Sequence, residues 1–361
     1  MASLPLAPGS TIGILGGGQL GRMLALAAAR LGFDVAVLES DADSPAGRVA
    51  AHTIVGAYDD PEALKVLATL AGVVTYEFEN VPAAVVASLV AMGVDVAPGP
   101  LALSVAQDRV EEKSFLNSKG VPTVAFAAAD DAEQAVDAVA RIGTPCLMKT
   151  RREGYDGKGQ RWIEQAADAA RVFAELGGRP VIVEAPADFV RELSVIAARG
   201  RDGATAVYPM AENHHEHGIL RRSLAPAEAT PALSEQAERI AARILAGLDY
   251  VGVIGVELFE LKDGQLLVNE IAPRVHNTGH WTQDGCEVDQ FEQHIRAVAG
   301  WPLGPTQARA RVEMLNLLGD EAEGWRRYAG EAETRLHLYG KRGAKPGRKM
   351  GHINRVRPLA D

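Results

Sequence analysis

The sequence predicts an α/β protein with an N-terminal open parallel sheet domain, a small glycine-loop lid and a C-terminal mixed β domain. Three observations predict it. Apolar, β-branched runs alternate with helical stretches over the first hundred residues, the pattern of an open parallel sheet. Two strand-like runs enclose a charged loop over residues 150–160, with three glycines in the six positions from Gly154. Residues 253–272 read as a hairpin about Asp263-Gly264, the dipeptide that most favours a two-residue turn. At 361 residues the chain is too long for one hydrophobic core. It divides into 1–105, then 106–300 with a lid over about 120–185, then 301–361, which completes the site.

Residues 11–15 form a buried strand, followed by Gly16-Gly17-Gly18-Gln19-Leu20-Gly21 and a helical stretch that stops at Gly32. The next strand, 35–38, closes on Glu39. A G-x-G-x-x-G turn between strand and helix, with an acid about twenty residues on, fits the dinucleotide fingerprint. Its glycines let backbone N–H groups at a helix N-terminus approach an anion. Residues 53–55, 73–75 and 94–97 are further parallel strands, separated by helical stretches such as 61–71. Ligands of such a sheet sit at the strand C-termini, where the glycine turn and the loop acids Glu77 and Glu79 fall. Residues 106–119 read as one polar helix that carries Arg109, a candidate phosphate contact.

Residues 146–149 form a short strand ending on Lys149, aimed where phosphates would lie, and 161–163 form its partner across the loop. Glycines give such a loop positive-φ freedom, and it can close over phosphates through its backbone N–H groups. The spacing of a P-loop is absent. Residues 180–184 are a buried strand, and the Ala185-Pro186 after it leaves backbone groups for an adenine edge. Glu192, alternating inward on the strand 191–198, could accept both hydroxyls of a ribose. Residues 212–217 (ENHHEH) read as a loop, since the H-E-x-x-H spacing of a zinc helix is missing. An amphipathic helix over 234–248 leads into the hairpin.

A two-residue turn at Asp263-Gly264 sets Glu257 opposite Glu270. Directly opposed side chains have Cβ atoms about 4.5–5.5 Å apart, and like charges there destabilise a sheet. A hard divalent cation with oxygen ligands supplies the counter-charge, and one that keeps open positions for phosphate points to a nucleotide. The same register puts Asn269 on the face opposite Glu270, so either a bulge re-aims it or it contributes through its backbone. Arg274, His276, Asn277 and His280 follow within ten residues of Glu270, polar groups clustered past a strand end. Short strands at 312–317 and 334–339 precede residues 341–349, where five of nine positions are basic. That run is a solvated loop or an anion clamp, and the acidic background favours the clamp.

The net charge of −10 argues against general binding to nucleic acid or anionic membranes. Cys146 and Cys286 lack paired spacing and suit a reducing compartment. The N-terminus lacks a basic segment with a long apolar core, and no run of eighteen apolar residues occurs, so a soluble cytoplasmic protein is expected.

The segments GILGGGQLGRML, TYEFENV, GYDGKGQ, ENHHEHGIL, NEIAPRVHNTGHWT and GRKMGHIN together resemble the ATP-grasp superfamily. Within it they are similar to the N5-carboxyaminoimidazole ribonucleotide synthetases, ATP-dependent carbon–nitrogen ligases of purine biosynthesis. The resemblance implies an ATP-grasp fold, with ATP, bicarbonate and 5-aminoimidazole ribonucleotide as small-molecule substrates. The reaction would pass through carboxyphosphate, with Mg²⁺ as cofactor, in a homodimer. It implies ATP contacts at Arg109, Lys149, Gly154, Tyr155, Asp156, Gly157, Lys158, Gly159 and Gln160. Further ATP contacts would come from Glu184, Ala185, Pro186, Ala187, Glu192, His215, Asn269 and Glu270, with Mg²⁺ on Glu257 and Glu270. Glu77, Asp156, Lys158, Arg274, His276, Lys341 and Arg348 would face the ribonucleotide, the last two at its 5′-phosphate. Lys149, Arg274 and His276 are the implied catalytic residues. The chain departs from the pattern at Lys158, where arginine is common, and at Thr278, where serine is usual. Three other readings stand beside this one. A formate-dependent formyltransferase acting on glycinamide ribonucleotide shares the architecture. A dehydrogenase would use Gly16–Gly21 and Glu39 for NAD. A non-catalytic nucleotide-binding protein would have no need of both acids, Lys149 and the clamp.

Overall fold

The computed structural model describes residues 4–154 and 157–359. The first sheet is built from β1 (Thr11–Leu15), β2 (Asp34–Glu39), β3 (His52–Val55) and β4 (Val73–Tyr76), in the order β3-β2-β1-β4 and parallel throughout. The helices α1 (Gln19–Arg30), α2 (Pro61–Leu70) and α3 (Ala83–Ala91) flank it. Residues 94–97 are not the fifth strand expected: they meet β4 at the single bridge Val74↔Val96. Pro98 follows at once and has no N–H to extend a ladder. Nor is 106–119 one helix. α4 (Pro100–Ala106) and α5 (Arg109–Ser118) are separate, because Asp108 accepts from Val110 N at 3.0 Å and caps the second.

The lid is a four-stranded antiparallel sheet, β5 (Phe126–Ala129), β6 (Cys146–Thr150), β7 (Gln160–Ile163) and β8 (Val181–Glu184), in the order β5-β8-β6-β7. α6 (Ala132–Ile142) and α7 (Ala169–Glu175) cover it, and Val139, Met148 and Phe173 are buried between the layers.

The remaining strands form one nine-stranded antiparallel sheet: β9 (Phe189–Arg199), β10 (Thr205–Val207), β11 (Ala211–Glu216), β12 (Ile219–Ala225), β13 (Gly252–Leu261), β14 (Leu266–Ala272), β15 (Ala310–Leu318), β16 (Thr334–Leu338) and β17 (Lys349–Pro358). The order is β14-β13-β9-β11-β12-β15-β17-β16, with β10 beside β9, so the last three strands extend the sheet that carries the hairpin. Residues 212–216 of the stretch 212–217, expected as a loop, belong to strand β11 (Ala211–Glu216), joined to β12 by a turn with positive φ at both His217 and Gly218. That is the turn geometry preferred in tight hairpins. Its polar composition hid the strand. β17 escaped notice similarly, because its buried positions include His352 and Asn354.

Glu257 and Glu270 pair directly, as expected, but by a different route. Leu261 accepts from Gly264 N at 2.9 Å and donates to Gln265 O at 2.8 Å, closing a three-residue turn with Gly264 at φ +78°. That turn sets the register one residue away from the two-residue expectation, and a bulge between Glu257 and Leu258 restores it. Asn269 is the extra residue, so the bulge alternative holds.

β13 lies at the centre of the fold. Ile254, Val256 and Leu258 pack with Ile240 and Ile244 of α8 (Pro231–Gly247), each worth about 1.5–3 kcal/mol when fully buried. Past the short α9 (Thr282–Gly285), α10 (Gln290–Ala299) packs Ile295 and Val298 in the same core as Val253 and α1, and α11 (Trp325–Gly330) leads to β16. His294 of α10 is fully buried and links the two sheets. Its Nδ1 accepts from Val253 N at 3.1 Å, which leaves Nε2–H to donate to Thr75 Oγ1 at 2.8 Å. Among the described residues no helix is long and apolar enough to cross a membrane.

Burial pushes His294 from 6.5 down to about 3, so the unfolded chain binds the extra proton between those values. Wild-type stability therefore falls as pH drops through that window. His294→Phe should cost about 1–3 kcal/mol per orphaned group at neutral pH. The gap between variant and wild type should narrow below pH 6.5, which urea unfolding across pH would measure.

Candidate active site

A cleft of about 610 Å³ opens where the lid, the C-terminal ends of the first sheet and the hairpin meet. Fifteen residues expected at the site line it: Glu77, Arg109, Lys149, Gly154, Gly157, Lys158, Gln160, Glu192, His215, Glu257, Asn269, Glu270, Arg274, His276 and Lys341. Others lie elsewhere. Ala185, Pro186 and Ala187 line a separate cleft of about 480 Å³ with Thr123, Leu261 and Leu267. Glu184 is buried behind Lys149, its Oε2 2.6 Å from Nζ. Gly159 is on the lid loop, where its carbonyl accepts from Thr150 N at 2.8 Å, and is not part of the cleft lining. Arg348 is turned back on its own loop, with Nη1 donating to the carbonyls of Arg342 and Gly343 at 2.6 and 2.9 Å. Tyr155 and Asp156 lie outside the described residues.

The glycine turn does not present free donors to a dinucleotide. Gly17 N donates to Glu39 Oε2 at 2.8 Å, and Gly18 and Gly21 N donate to the two Glu77 oxygens at 2.5 and 2.7 Å. The N-terminus of α1 has thus taken a carboxylate of the chain as its anion. A second acid of the same loop, Glu79, is ion-paired with Arg274 Nε. Burial would raise the Glu79 pKa, but Arg274 holds it at about 2.

On the hairpin, Asn269 Nδ2 donates to Glu257 Oε2 at 3.4 Å, and Arg109 Nη1 lies 3.1 Å from Glu270 Oε2. Arg109 Nη2 also donates to Gly154 O at 3.0 Å, tying α5 to the lid loop. The two acids differ in charge state. Burial and the neighbouring Glu270 push Glu257 up to about 7. Partial desolvation at the cleft wall would raise Glu270 too, yet Arg109 holds it below the usual carboxylate range. Two carboxylates and the Asn269 amide are hard oxygen donors, and the unrelieved charge on Glu257 fits a divalent cation that keeps positions open for phosphate.

Gly255 has no side chain because His276 packs on it: an added Cβ would stand 2.6 Å from His276 Cβ. His276 Nδ1 is 2.9 Å from Thr278 Oγ1, so threonine at this position supplies the hydroxyl, and Nε2 is 3.8 Å from Glu257 Oε1. Burial and Arg274 push His276 down to about 3, so its ring is neutral at physiological pH. His215 Nδ1 is hydrogen-bonded to Glu192 Oε2 across β11 and β9. Lys341 Nζ reaches Gln19 Oε1 and donates to Lys349 O at 2.9 Å, which brings the basic run onto the first domain.

Sequence reasoning missed Leu147, Leu220 and Phe259 in the lining, and reached Gln19, Phe78, Asn80 and Lys349 only as members of the glycine turn, the loop after β4 and the basic run. Leu147 and Phe259 stand two residues from Lys149 and Glu257, so strand alternation alone could have found them.

Matches to known families cover each part of the chain. A ribonucleotide synthetase preATP-grasp domain matches residues 9–107, an ATP-grasp domain 114–291, and a phosphoribosylaminoimidazole carboxylase C-terminal domain 313–360. The N5-carboxyaminoimidazole ribonucleotide synthase of Brucella melitensis is 49% identical over 99% of each chain. The chain belongs to the N5-carboxyaminoimidazole ribonucleotide synthase family. The Bacillus subtilis member is 40% identical over 98% of this chain and 93% of its own. Among solved structures, a synthetase in complex with ADP has a TM-score of 0.93 at 42% identity, covering 97% of this chain and 93% of that one. The Aspergillus clavatus synthase with ADP and 5-aminoimidazole ribonucleotide gives 0.91 at 33% identity, covering 98% and 95%. The fold is therefore the ATP-grasp fold of this synthase family.

In metal-free protein, ¹³C-glutamate NMR should find Glu257 titrating well above Glu270, at about 7. Glu270→Gln should lower the Glu257 pKa without returning it fully to normal, since burial remains. An unmoved titration would mean that the two acids do not share one field.

Proposed function

We propose that the chain carboxylates the exocyclic amine of 5-aminoimidazole ribonucleotide with bicarbonate, converting ATP to ADP and phosphate and releasing N5-carboxyaminoimidazole ribonucleotide for purine biosynthesis. The observation that carries the reading is the convergence, in one cleft of a chain 49% identical to such a synthase, of Glu257/Glu270, the glycine-loop lid and Arg274. Mg²⁺ would be held by Glu257 and Glu270, and when bound supplies positive charge to the ATP phosphates.

Lys149, anchored by Glu184, neutralises charge on the transferring phosphoryl group as bicarbonate attacks it. Arg109, already bound to Glu270 and the Gly154 carbonyl, sits on the same phosphates, and Glu192, oriented by His215, takes the ribose of ATP. The backbone of Glu184 to Ala187 would take the adenine edge in the second cleft, which adjoins the first along β13, Phe259 lining one and Leu261 the other. Arg274 holds bicarbonate and then the carboxyphosphate oxygens, since a guanidinium matches planar oxyanions bidentately. Glu79 fixes the direction in which that guanidinium is offered. Carboxyphosphate breaks down to carbon dioxide and phosphate, and the amine attacks the carbon. A His276 pushed down to about 3 is a weak proton acceptor, so the freed phosphate takes the amine proton. Lys158 and the Gly154–Gln160 loop, closing over the site, exclude water from the intermediate. Lys341, and Arg348 once released from its loop carbonyls, hold the 5′-phosphate of the ribonucleotide. A homodimer in the cytoplasm is part of this reading and rests on family likeness.

Phosphate release from ATP should rise strongly only when bicarbonate and aminoimidazole ribonucleotide are both present, and not with formate and glycinamide ribonucleotide. A rise with the second pair instead would move the chain to formyl transfer. Arg274→Lys, which keeps a cation beside Glu79, should lower carboxylation about 10²-fold with ATP binding nearly unchanged. Near-normal turnover would mean that another group holds bicarbonate and carboxyphosphate.

A further inference from the structure

β14 is the edge of the nine-stranded sheet. An edge strand leaves a row of backbone groups without ladder partners. Around the bulge, those groups are taken up from one side. Val268 N donates to Pro122 O at 2.8 Å, Lys113 Nζ donates to Asn269 O at 3.0 Å, and Ile271 N donates to Glu112 Oε1 at 2.6 Å. The last two contacts bracket Glu270 along the chain. Glu112 and Lys113 are 2% and 1% exposed, so neither contact competes with water.

Both residues lie on α5 with Arg109, at the three- and four-residue spacings that share one helix face. From that face Arg109 holds the Glu270 carboxylate, while Glu112 and Lys113 hold the backbone that carries it. Lys113 Nζ is also 3.3 Å from Glu184 Oε1, and the other Glu184 oxygen is 2.6 Å from Lys149 Nζ. One helix face thus connects the bulge to the lysine at the end of the lid strand β6.

We propose that Glu112 and Lys113 are positioning residues for nucleotide-bound metal. They fix the Asn269–Glu270 bulge in the register that sets Glu270 opposite Glu257, and through Glu184 they fix Lys149 relative to that pair. Neither side chain is part of the cleft lining. Without them, the bulge is held only by the ladder to β13 and the Val268–Pro122 contact on its far side, and a one-residue slip turns every side chain to the other face. The proposal rests on the reading that Glu257 and Glu270 hold the divalent cation, and it does not depend on which acceptor is carboxylated.

The test is Mn²⁺ binding in the presence of ATP, followed by electron paramagnetic resonance, on the full chain and on Glu112→Gln, Glu112→Leu and Lys113→Met, with circular dichroism to confirm folding. Glutamine keeps an acceptor for Ile271 N and leucine does not. Glu112→Leu and Lys113→Met should weaken Mn²⁺ binding about tenfold or more, and Glu112→Gln much less, the scale seen when groups that orient metal ligands are removed. Lys113→Met tests the proposal by itself should Glu112→Leu fail to fold. A folded Glu112→Leu or Lys113→Met that binds Mn²⁺ like wild type would overturn the proposal, as would a Glu112→Gln as defective as the leucine variant. Wild-type protein that binds ATP but no Mn²⁺ would overturn the metal reading and this proposal together.

Discussion

Glu257 and Glu270 meet on neighbouring strands in the wall of the cleft, and much of the surrounding structure is arranged to tolerate that contact. Without a cation the pair is asymmetric. Arg109 holds Glu270 ionised, and Glu257 is pushed up to about 7 by burial and by its partner. The bulge brings the Asn269 amide to Glu257, and α5 supplies partners for the backbone on either side of Glu270. Gly255 leaves room for His276 beside the same carboxylates. The raised acid, the bulge and the glycine cost local stability or chain freedom, the contacts from α5 offset part of that, and together they hold negative charge where a magnesium nucleotide would need it.

The first domain uses the same logic with the opposite sign. A glycine turn opening a helix ordinarily offers donors to a phosphate. In this chain those donors are consumed by Glu77 and Glu39, so the turn shapes a wall of the cleft and the nicotinamide reading loses its anion site. Sequence spacing alone cannot separate these uses, because the glycines are equally necessary in both. What decides between them is a carboxylate some sixty positions away, brought to the turn by the parallel pairing of β1 with β4.

Much of the architecture was legible because β-branched runs and turn residues are local signals. β1, β2, β6, β8 and β9 fall where those runs lie, and the opposed carboxylates followed from one hairpin turn. That last inference succeeded through compensation: the turn holds three residues, and the Asn269 bulge shifts the ladder back. β5, β10, β11, β12 and β17 went unseen; β11 and β17 are polar because one face lines the cleft or packs buried histidine and asparagine, so alternation of apolar residues fails there. The split of α4 from α5 turned on one capping carboxylate, Asp108. In the site, residues on the ends of readable strands were found. Arg348 and Ala185–Ala187 sit away from the main cleft, since loop positions depend on contacts distant in sequence.

The role of the opposed carboxylates is open to urea unfolding of wild type and Glu257→Gln at about pH 8, with and without Mg²⁺ and ATP. An acid pushed up to about 7 in the folded chain contributes stability that is present below its ordinary 4.5 and lost as pH rises through 7, so its cost is fully developed at pH 8. Glu257→Gln should then be more stable than wild type without metal, by a margin that shrinks toward pH 5. It should also gain little from Mg²⁺ and ATP, while wild type gains strongly. A Glu257→Gln protein that is less stable without metal, yet stabilised by Mg²⁺ and ATP as much as wild type, would contradict a carboxylate pair built to hold a metal nucleotide.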